Sequence, residues 1–364
     1  MGAAEVINGR CASCVEDRDN YIRESNSVAE LRELALVRNQ ERQRQYERQQ
    51  REHYFLGLPI IGDYHSSLRK EATWRLASAW TRANNSRFIG VELEIESRDI
   101  SIYCTDDCNE DCDNDCEGTH GRDEPDDNEA CKRFALAALQ AAHTPTCTKR
   151  KLFAEHDGSL TAGFELITQP MGLDDQTTLW TAVLQPSVLR GCYSHQTSTC
   201  GLHVHISRAG LAELTISKAI VAINDKSWTD LVHCVARRGS NGYSERKSNL
   251  ASCKRVANMS TARYEMINTL NRATIEFRIF RGTLKLESLL AAIEFSNAVI
   301  NWAAQTSARA LEVRHFLAWL AMPANAHDTK NLRSMLATRE PTQYKHLISA
   351  KSLLKSTTTT DTEN

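Results

Sequence analysis

Four stretches of this chain alternate apolar and ionisable side chains at period two, and this alternation constrains the fold more than any other feature. The first is Phe88-Ile89-Gly90-Val91-Glu92-Leu93-Glu94-Ile95-Glu96. The others are Gly163-Phe164-Glu165-Leu166-Ile167-Thr168, Gly201-Leu202-His203-Val204-His205-Ile206-Ser207 and Thr274-Ile275-Glu276-Phe277-Arg278-Ile279-Phe280-Arg281. Successive side chains of a strand point to opposite faces, so each stretch reads as a strand with one buried and one polar face. One such strand is what any sheet with a wet side shows. Four in one region, each setting oxygen or imidazole donors between apolar residues, favour a shared charged concavity. Along the first strand three carboxylates share a face and repel one another, so either water solvates them or a cation neutralises them. Carboxylates with one imidazole suit Mg²⁺ or Mn²⁺ better than zinc, and nearby arginines suit an anion such as phosphate.

The rest of the chain reads as helices and turns around these strands. From Ser27 to His53 the sequence is dense in Arg, Gln and Glu, with Leu31, Leu34, Leu36 and Val37 as its apolar cluster. That is an amphipathic, then polar, helix that cannot anchor a core by itself. A turn-rich passage, Leu58 to Asp63, leads to a second helical stretch containing Trp74, Leu76 and Trp80. Residues 1–85 are therefore expected to form an accessory region and 86–355 the principal domain, with a disordered Ser/Thr tail at 356–364. Within the principal domain we expect a helix over Cys131 to His143 and a short strand at Leu152-Phe153-Ala154 before the turn His156-Asp157-Gly158-Ser159. Helices are expected from Leu214 to Val235 and through most of the stretch from Leu286 to Leu354. The fold class is α+β: an antiparallel sheet with helices packed on one face.

Charge narrows the partners. Lys and Arg number 44 against 46 Asp and Glu, for a net charge of −2, so no basic field steers nucleic acid or an anionic membrane. The first residues lack the basic start and apolar run of a secretion signal, and no stretch reaches the length of a membrane span. A cytoplasmic protein is expected, with neither nucleic-acid nor membrane partners. Cys104, Cys108, Cys112, Cys116 and Cys131 fall in one acidic insertion, 104–131. In a reducing compartment these are thiols or metal ligands. Four thiolates at Cys104, Cys108, Cys112 and Cys116 would hold Zn²⁺, while a solvated loop is the plainer reading; Cys11-Ala12-Ser13-Cys14 supplies only half a site.

The motifs taken in order resemble a known family. Gly90-Val91-Glu92-Leu93-Glu94 resembles the Gly-x-Glu-x-Glu strand of glutamine synthetases, Gly201 to Ser207 their Gly-x-His-x-His-x-Ser strand, and Glu276-Phe277-Arg278 their Glu-x-Arg strand. Asp157 and Glu165 resemble a paired acid site between them. With Asp157-Gly158-Ser159-Leu160 and Arg278-Ile279-Phe280-Arg281-Gly282-Thr283, the chain is most similar to the amidoligase family, glutamine-synthetase-like carboxylate–amine ligases related to glutamate–cysteine ligase. The resemblance spans about Phe88 to Asn301, less the cysteine insertion. At position 274 it departs, with Thr where glutamine synthetases carry a phosphate-binding arginine.

What the resemblance implies is specific. The sheet would be of glutamine synthetase catalytic-domain type, and the activity an ATP- and Mg²⁺-dependent ligation of a carboxylate to an amine through an acyl phosphate. Glu92, Glu94, Glu165, His203 and Glu276, with Asp157 as a weaker candidate, would bind Mg²⁺ or Mn²⁺. His205, Ser207 and Arg281 would approach the nucleotide, Arg278 the transferred phosphoryl group, and Arg238 with Tyr243 the substrate. Two other readings compete with this one. A metal-dependent hydrolase would use His203, His205 and the acids without nucleotide; a non-catalytic scaffold would be built on the polar N-terminal helix and a cysteine zinc site.

Overall fold

The computed structural model describes residues 60–62, 87–97, 129–143, 150–160, 163–195, 197, 199–239, 242, 244–246 and 263–348, together with 36–37 and the backbone of 6–7 and 10–11. The chain divides into two compact units, Met1–Pro59 and Ile60–Asn364. In the first, β1 (Val6–Ile7) pairs antiparallel with β2 (Arg10–Cys11), and Leu36 and Val37 are exposed. Most of the polar helix expected over 27–53 lies outside the described residues, as do the cysteine insertion 104–128 and the tail.

The second unit is built on an open, mostly antiparallel sheet of eight strands among the described residues, so the α+β class holds. Its strands are β3 (Ile61–Gly62), β4 (Ile89–Ser97), β5 (Leu152–Glu155), β6 (Gly163–Thr168), β7 (Cys192–Tyr193), β8 (Gly201–Ser207), β9 (Ile267–Asn268) and β10 (Thr274–Arg281). The spatial order is β3-β5-β6-β4-β8-β10-β9, with β7 on the end of β4; β3 and β5 are the parallel pair. Residues 61–62, which the sequence reading left in the accessory region, thus form an edge strand of the sheet.

Alternation explains the central four strands. Val91, Leu93 and Ile95 of β4, Leu202, Val204 and Ile206 of β8, Phe164 and Leu166 of β6, and Ile275 and Phe277 of β10 are fully buried on one face. Against the sheet pack α1 (Glu129–Ala142), α2 (Leu173–Val183) through Gln176, and, after α3 (Glu213–Asn224), α4 (Thr229–Ala236) and α5 (Leu286–Gln305); α3 packs on α5 and α4, and α6 (Val313–Leu320) and α7 (Lys330–Arg339) lie on α5. Helix α5 lies on β4 and β8 and is buried along nearly its whole length, with apolar residues from Leu289 to Ile293, Phe295, Ala298 to Ile300 and Trp302 falling on every side of it. The helices expected over 214–235 are divided at Asp225, whose carboxylate accepts the Ser227 N–H at 2.8 Å and caps a new turn. Phe316 of α6 fills the centre of an aromatic cluster, with ring centroids 4.9 Å from Trp228, 5.6 Å from Trp302 and 6.0 Å from Phe295. No described helix is long and apolar enough to cross a membrane.

Strict alternation fails at one place. The register of β10 against β8 runs Glu276↔His205 and Phe277↔Val204, then slips so that Phe280 pairs with Leu202 and Arg281 with Gly201. This bulge sends Phe280 to the apolar face, edge-on to Phe295 at 6.2 Å, and leaves Glu276, Arg278 and Arg281 together on the polar face.

Candidate metal centre

The polar face is organised in cross-strand rows. Glu92 pairs with Ile167 on one side and His203 on the other; Glu94 pairs with Glu165, which pairs with Glu155; Gly90 pairs with His205, which pairs with Glu276, which pairs with Asn268. Side chains directly opposite one another in a sheet are neighbours, so residues more than 180 positions apart in sequence meet here. Ligand atoms of Glu92, His203 and Glu276 lie within 4.8 Å of one another, and so do those of Glu94, Glu165 and His203. His203 Nδ1 stands 3.6 Å from both Glu92 Oε2 and Glu276 Oε1. The two groups share His203, so they form one extended donor set rather than two separate sites.

Burial makes this set costly without a counter-charge. Glu94, Glu165, Glu276 and Glu155 are at most 5% exposed. Burial pushes the Glu94 carboxyl above its ordinary value; His203, the Gly201 N–H that it accepts, and Arg278 oppose the rise, while Asp157 adds to it. For Glu276 burial acts in the same direction, but His205, His203 and Arg278 together outweigh it and the repulsion of Glu92, so its carboxyl sits below the ordinary range. Arg278 Nη1 donates to Glu276 Oε1, and Asn268 Nδ2 donates to Glu276 Oε2 at 2.7 Å. Gly201 suits this packing: a Cβ there would lie 3.2 Å from His203 Nε2 and 3.3 Å from Glu94 Oε2, so both side chains would have to shift slightly to admit it.

His205 lies between Glu92 and β10, with Nε2 3.2 Å from Glu92 Oε2 and Nδ1 3.2 Å from Thr274 Oγ1. Ser207, half-buried and opposite Thr274, accepts the Ala209 N–H at 3.2 Å through its hydroxyl. Arg238 is tied to β10 itself, donating to the carbonyls of Arg278 at 2.8 Å and Ile279 at 3.1 Å. It follows Arg237, the one non-glycine residue at positive φ (61°) among those described, which ends α4. Arg237 donates to the carbonyls of Arg281 and Gly282; burial and the charges of Arg339, Arg281 and Arg238 lower its guanidinium to about 10. This arginine turn gathers positive charge at the β10 end of the face.

Asp157 takes a place of its own. Half-buried in the turn after β5, it accepts the Ser159 N–H at 2.7 Å and belongs to neither ligand group. The buried carboxylate beside Glu165 is instead Glu155, which the sequence analysis passed over by ending the strand at Ala154. Extending the alternation one residue, with Phe153 and Glu155 against Leu152 and Ala154, would have found it. Arg237 was likewise missed, because nothing in Ala236-Arg237-Arg238-Gly239 announces a positive φ at a residue with a side chain.

Tyr243 and Cys104, Cys108, Cys112 and Cys116 lie outside the described residues. Neither ligand group contains a cysteine. Cys131 and Cys200 are buried thiols that burial pushes up to about 11 and about 12, the behaviour of inert packing residues.

The donor chemistry fits a hard divalent cation: four carboxylates and an imidazole, fixed on adjacent central strands and already partly freed of water. The sequence matches no protein-family model, and no curated protein matches it. The functional reading therefore rests on the chemistry of this face.

Proposed function

We propose that the chain is an ATP- and Mg²⁺-dependent carboxylate–amine ligase of the amidoligase kind, on a sheet of glutamine synthetase type. One observation carries the reading: Glu92, His203 and Glu276, from three different strands, bring their ligand atoms within 4.8 Å of one another beside a second group, Glu94 and Glu165, that shares the same histidine. The arginines Arg278 and Arg281 on that face, with Arg238 behind β10, add the complement an anion needs.

Glu92, Glu94, Glu165, His203 and Glu276 would hold Mg²⁺ or Mn²⁺, with Glu155 supporting Glu165 from the next strand. Bound there, the cations would neutralise phosphate charge and spread the charge that develops during phosphoryl transfer. A carboxylate reacts poorly with an amine, so its oxygen would first take the γ-phosphoryl of ATP, releasing ADP and giving an acyl phosphate. The amine nitrogen then attacks the acyl carbon, the C–O bond to phosphate breaks, and inorganic phosphate leaves as the nitrogen loses its proton. Arg278, held by Glu276, would stay charged throughout and face the transferred group. His205 and Ser207 would meet the nucleotide from β8. Such a site works by positioning and electrostatics, which is why it is laid on rigid strands.

The test is to incubate the purified chain with ATP, Mg²⁺ and pooled amino acids or short peptides, and to follow nucleotide products and condensed masses. ADP and phosphate should form, and hydroxylamine should trap the activated acid as a hydroxamate. AMP and pyrophosphate, or metal binding without any nucleotide binding, would overturn the reading; the second outcome would point to the hydrolase.

A further inference from the structure

Asn268, on the edge strand β9, is 7% exposed and lies directly opposite Glu276. Its side-chain oxygen accepts the Leu270 N–H at 2.9 Å, the turn that Asn or Asp makes with the backbone two positions on. Aspartate forms that turn as well as asparagine does, so the turn explains the oxygen and not the amide nitrogen. Because Oδ1 faces a backbone donor, the orientation of the amide is settled, and Nδ2 is the atom turned to Glu276 Oε2, at 2.7 Å. An aspartate here would set a second carboxylate against Glu276.

The two strands that flank β10 hold the two oxygens of Glu276 in opposite directions. Toward β8, Oε1 stands 3.6 Å from His203 Nδ1, inside the Glu92–His203–Glu276 group, and also accepts from Arg278 Nη1. Toward β9, Oε2 is held by Asn268. A carboxylate must turn both oxygens to one side to chelate a single cation. Glu276 is tied against that rotation at each end, so it offers the group one oxygen. The number matters to the metal. Mg²⁺ demands a near-ideal octahedron, which the narrow bite of a chelating carboxylate distorts, whereas Ca²⁺ takes about six to eight oxygens and accepts carboxylates through one oxygen or both.

We propose that Asn268 is a positioning residue that sets the metal preference of this centre: by holding Oε2 on the β9 side it keeps Glu276 a one-oxygen ligand and favours Mg²⁺ over Ca²⁺. This deepens the ligase reading and rests on its metal centre. Asn268 contacts neither cation nor substrate in this role and acts through Glu276 alone, as residues that orient metal ligands do.

Asn268→Ser keeps a hydroxyl for the turn but ends one bond short of the amide nitrogen; Asn268→Leu keeps the shape and removes both contacts. In the full chain, calorimetry would follow Mg²⁺ alone and Ca²⁺ alone, with Mn²⁺ as competitor where a cation gives little heat. Both variants should bind Mg²⁺ about ten- to hundredfold more weakly, the range for losing a residue that orients a metal ligand. Ca²⁺ affinity should hold or rise, because the freed carboxylate can turn both oxygens to one cation, so the preference for Mg²⁺ falls by about tenfold or more. In a Glu276→Gln background the same substitutions should leave the preference unmoved. Unchanged Mg²⁺ binding, equal losses for the two cations, a shift in a folded leucine variant without one in the serine variant, or a shift that survives in the Glu276→Gln background would each overturn the inference; should the leucine variant not fold, the serine variant decides alone. Wild-type chain that binds Mg²⁺ but not ATP would refute the ligase reading and leave this inference to stand or fall on the variants. Wild-type chain that binds neither cation would remove the metal centre and the inference with it.

Discussion

Glu294 offers a test of the architecture that is independent of any ligand. It is 3% exposed on α5, where Leu332 N–H donates to it at 2.7 Å and Asn331 Nδ2 at 2.6 Å, so it caps the first turn of α7. Burial raises its carboxyl from 4.5 to about 7, those hydrogen bonds opposing the rise and Asp328 adding to it. Between those two values the folded chain holds a proton that the unfolded chain has lost, so the unfolded state binds fewer protons and stability falls as pH rises. The contribution is fully present below about 4.5 and is lost above about 7. At about 1.4 kcal/mol per pH unit the loss amounts to about 3 kcal/mol. Glu294→Gln removes the titration while keeping an acceptor for Leu332. Urea unfolding followed by tryptophan fluorescence, at intervals from pH 5 to 8.5, should show the wild type losing about 3 kcal/mol relative to the variant across the range, the two crossing near the acid end. Subtracting the variant cancels the carboxylates of the candidate metal centre, which titrate in both proteins. A stability difference that stays flat with pH would refute the reasoning.

Other outcomes follow from the site and the core. Arg278→Ala should lower hydroxamate formation by about 10²–10³ while Mn²⁺–ATP affinity, measured by calorimetry, stays within a few-fold of wild type. Glu276→Gln should instead weaken Mn²⁺ binding itself, visible by calorimetry with the metal alone. Gly201→Ala should keep a folded far-ultraviolet spectrum yet weaken Mn²⁺ binding, because its methyl would press on His203 and Glu94; unchanged affinity would mean the two side chains yield freely. Phe316→Ala should cost about 3–5 kcal/mol in urea unfolding, since it empties the centre of the aromatic cluster.

The sequence made the central sheet legible because each of its four long strands commits both faces, one to the core and one to charge. Ile89–Ser97, Gly163–Thr168, Gly201–Ser207 and Thr274–Arg281 all appear within a residue of where alternation puts them. Strands β3, β7 and β9 are two residues each, too short to show any period. The bulge in β10 was hidden for a different reason: strict alternation puts Phe280 with Glu276 and Arg278, and only pairing with β8 reveals that Arg281 replaces it. Glu294 reads in sequence as one of two acids in a mostly apolar helix. Its partner, the N-terminus of a helix nearly forty residues later, is a tertiary fact.

The polar face is itself polarised, and this bears on which way a ligand would lie. Toward β6 and β5, Glu94, Glu165 and Glu155 are buried in one row, and Glu94 is pushed up because its surroundings do not offset its charge. Toward β10, Glu276 is pulled down, since His205, His203 and Arg278 over-compensate its burial, and Arg281 and the Arg237–Arg238 turn add further positive charge. Negative charge that the surroundings do not offset thus gathers toward β6 and β5, and positive charge toward β10. On the proposed function, a divalent cation held by Glu92, Glu94, Glu165, His203 and Glu276 would turn its anionic ligand toward Arg278 and Arg281 at the β10 end. The order of strands, which places His203 between the two halves, is what turns separate charged strands into a site with a direction.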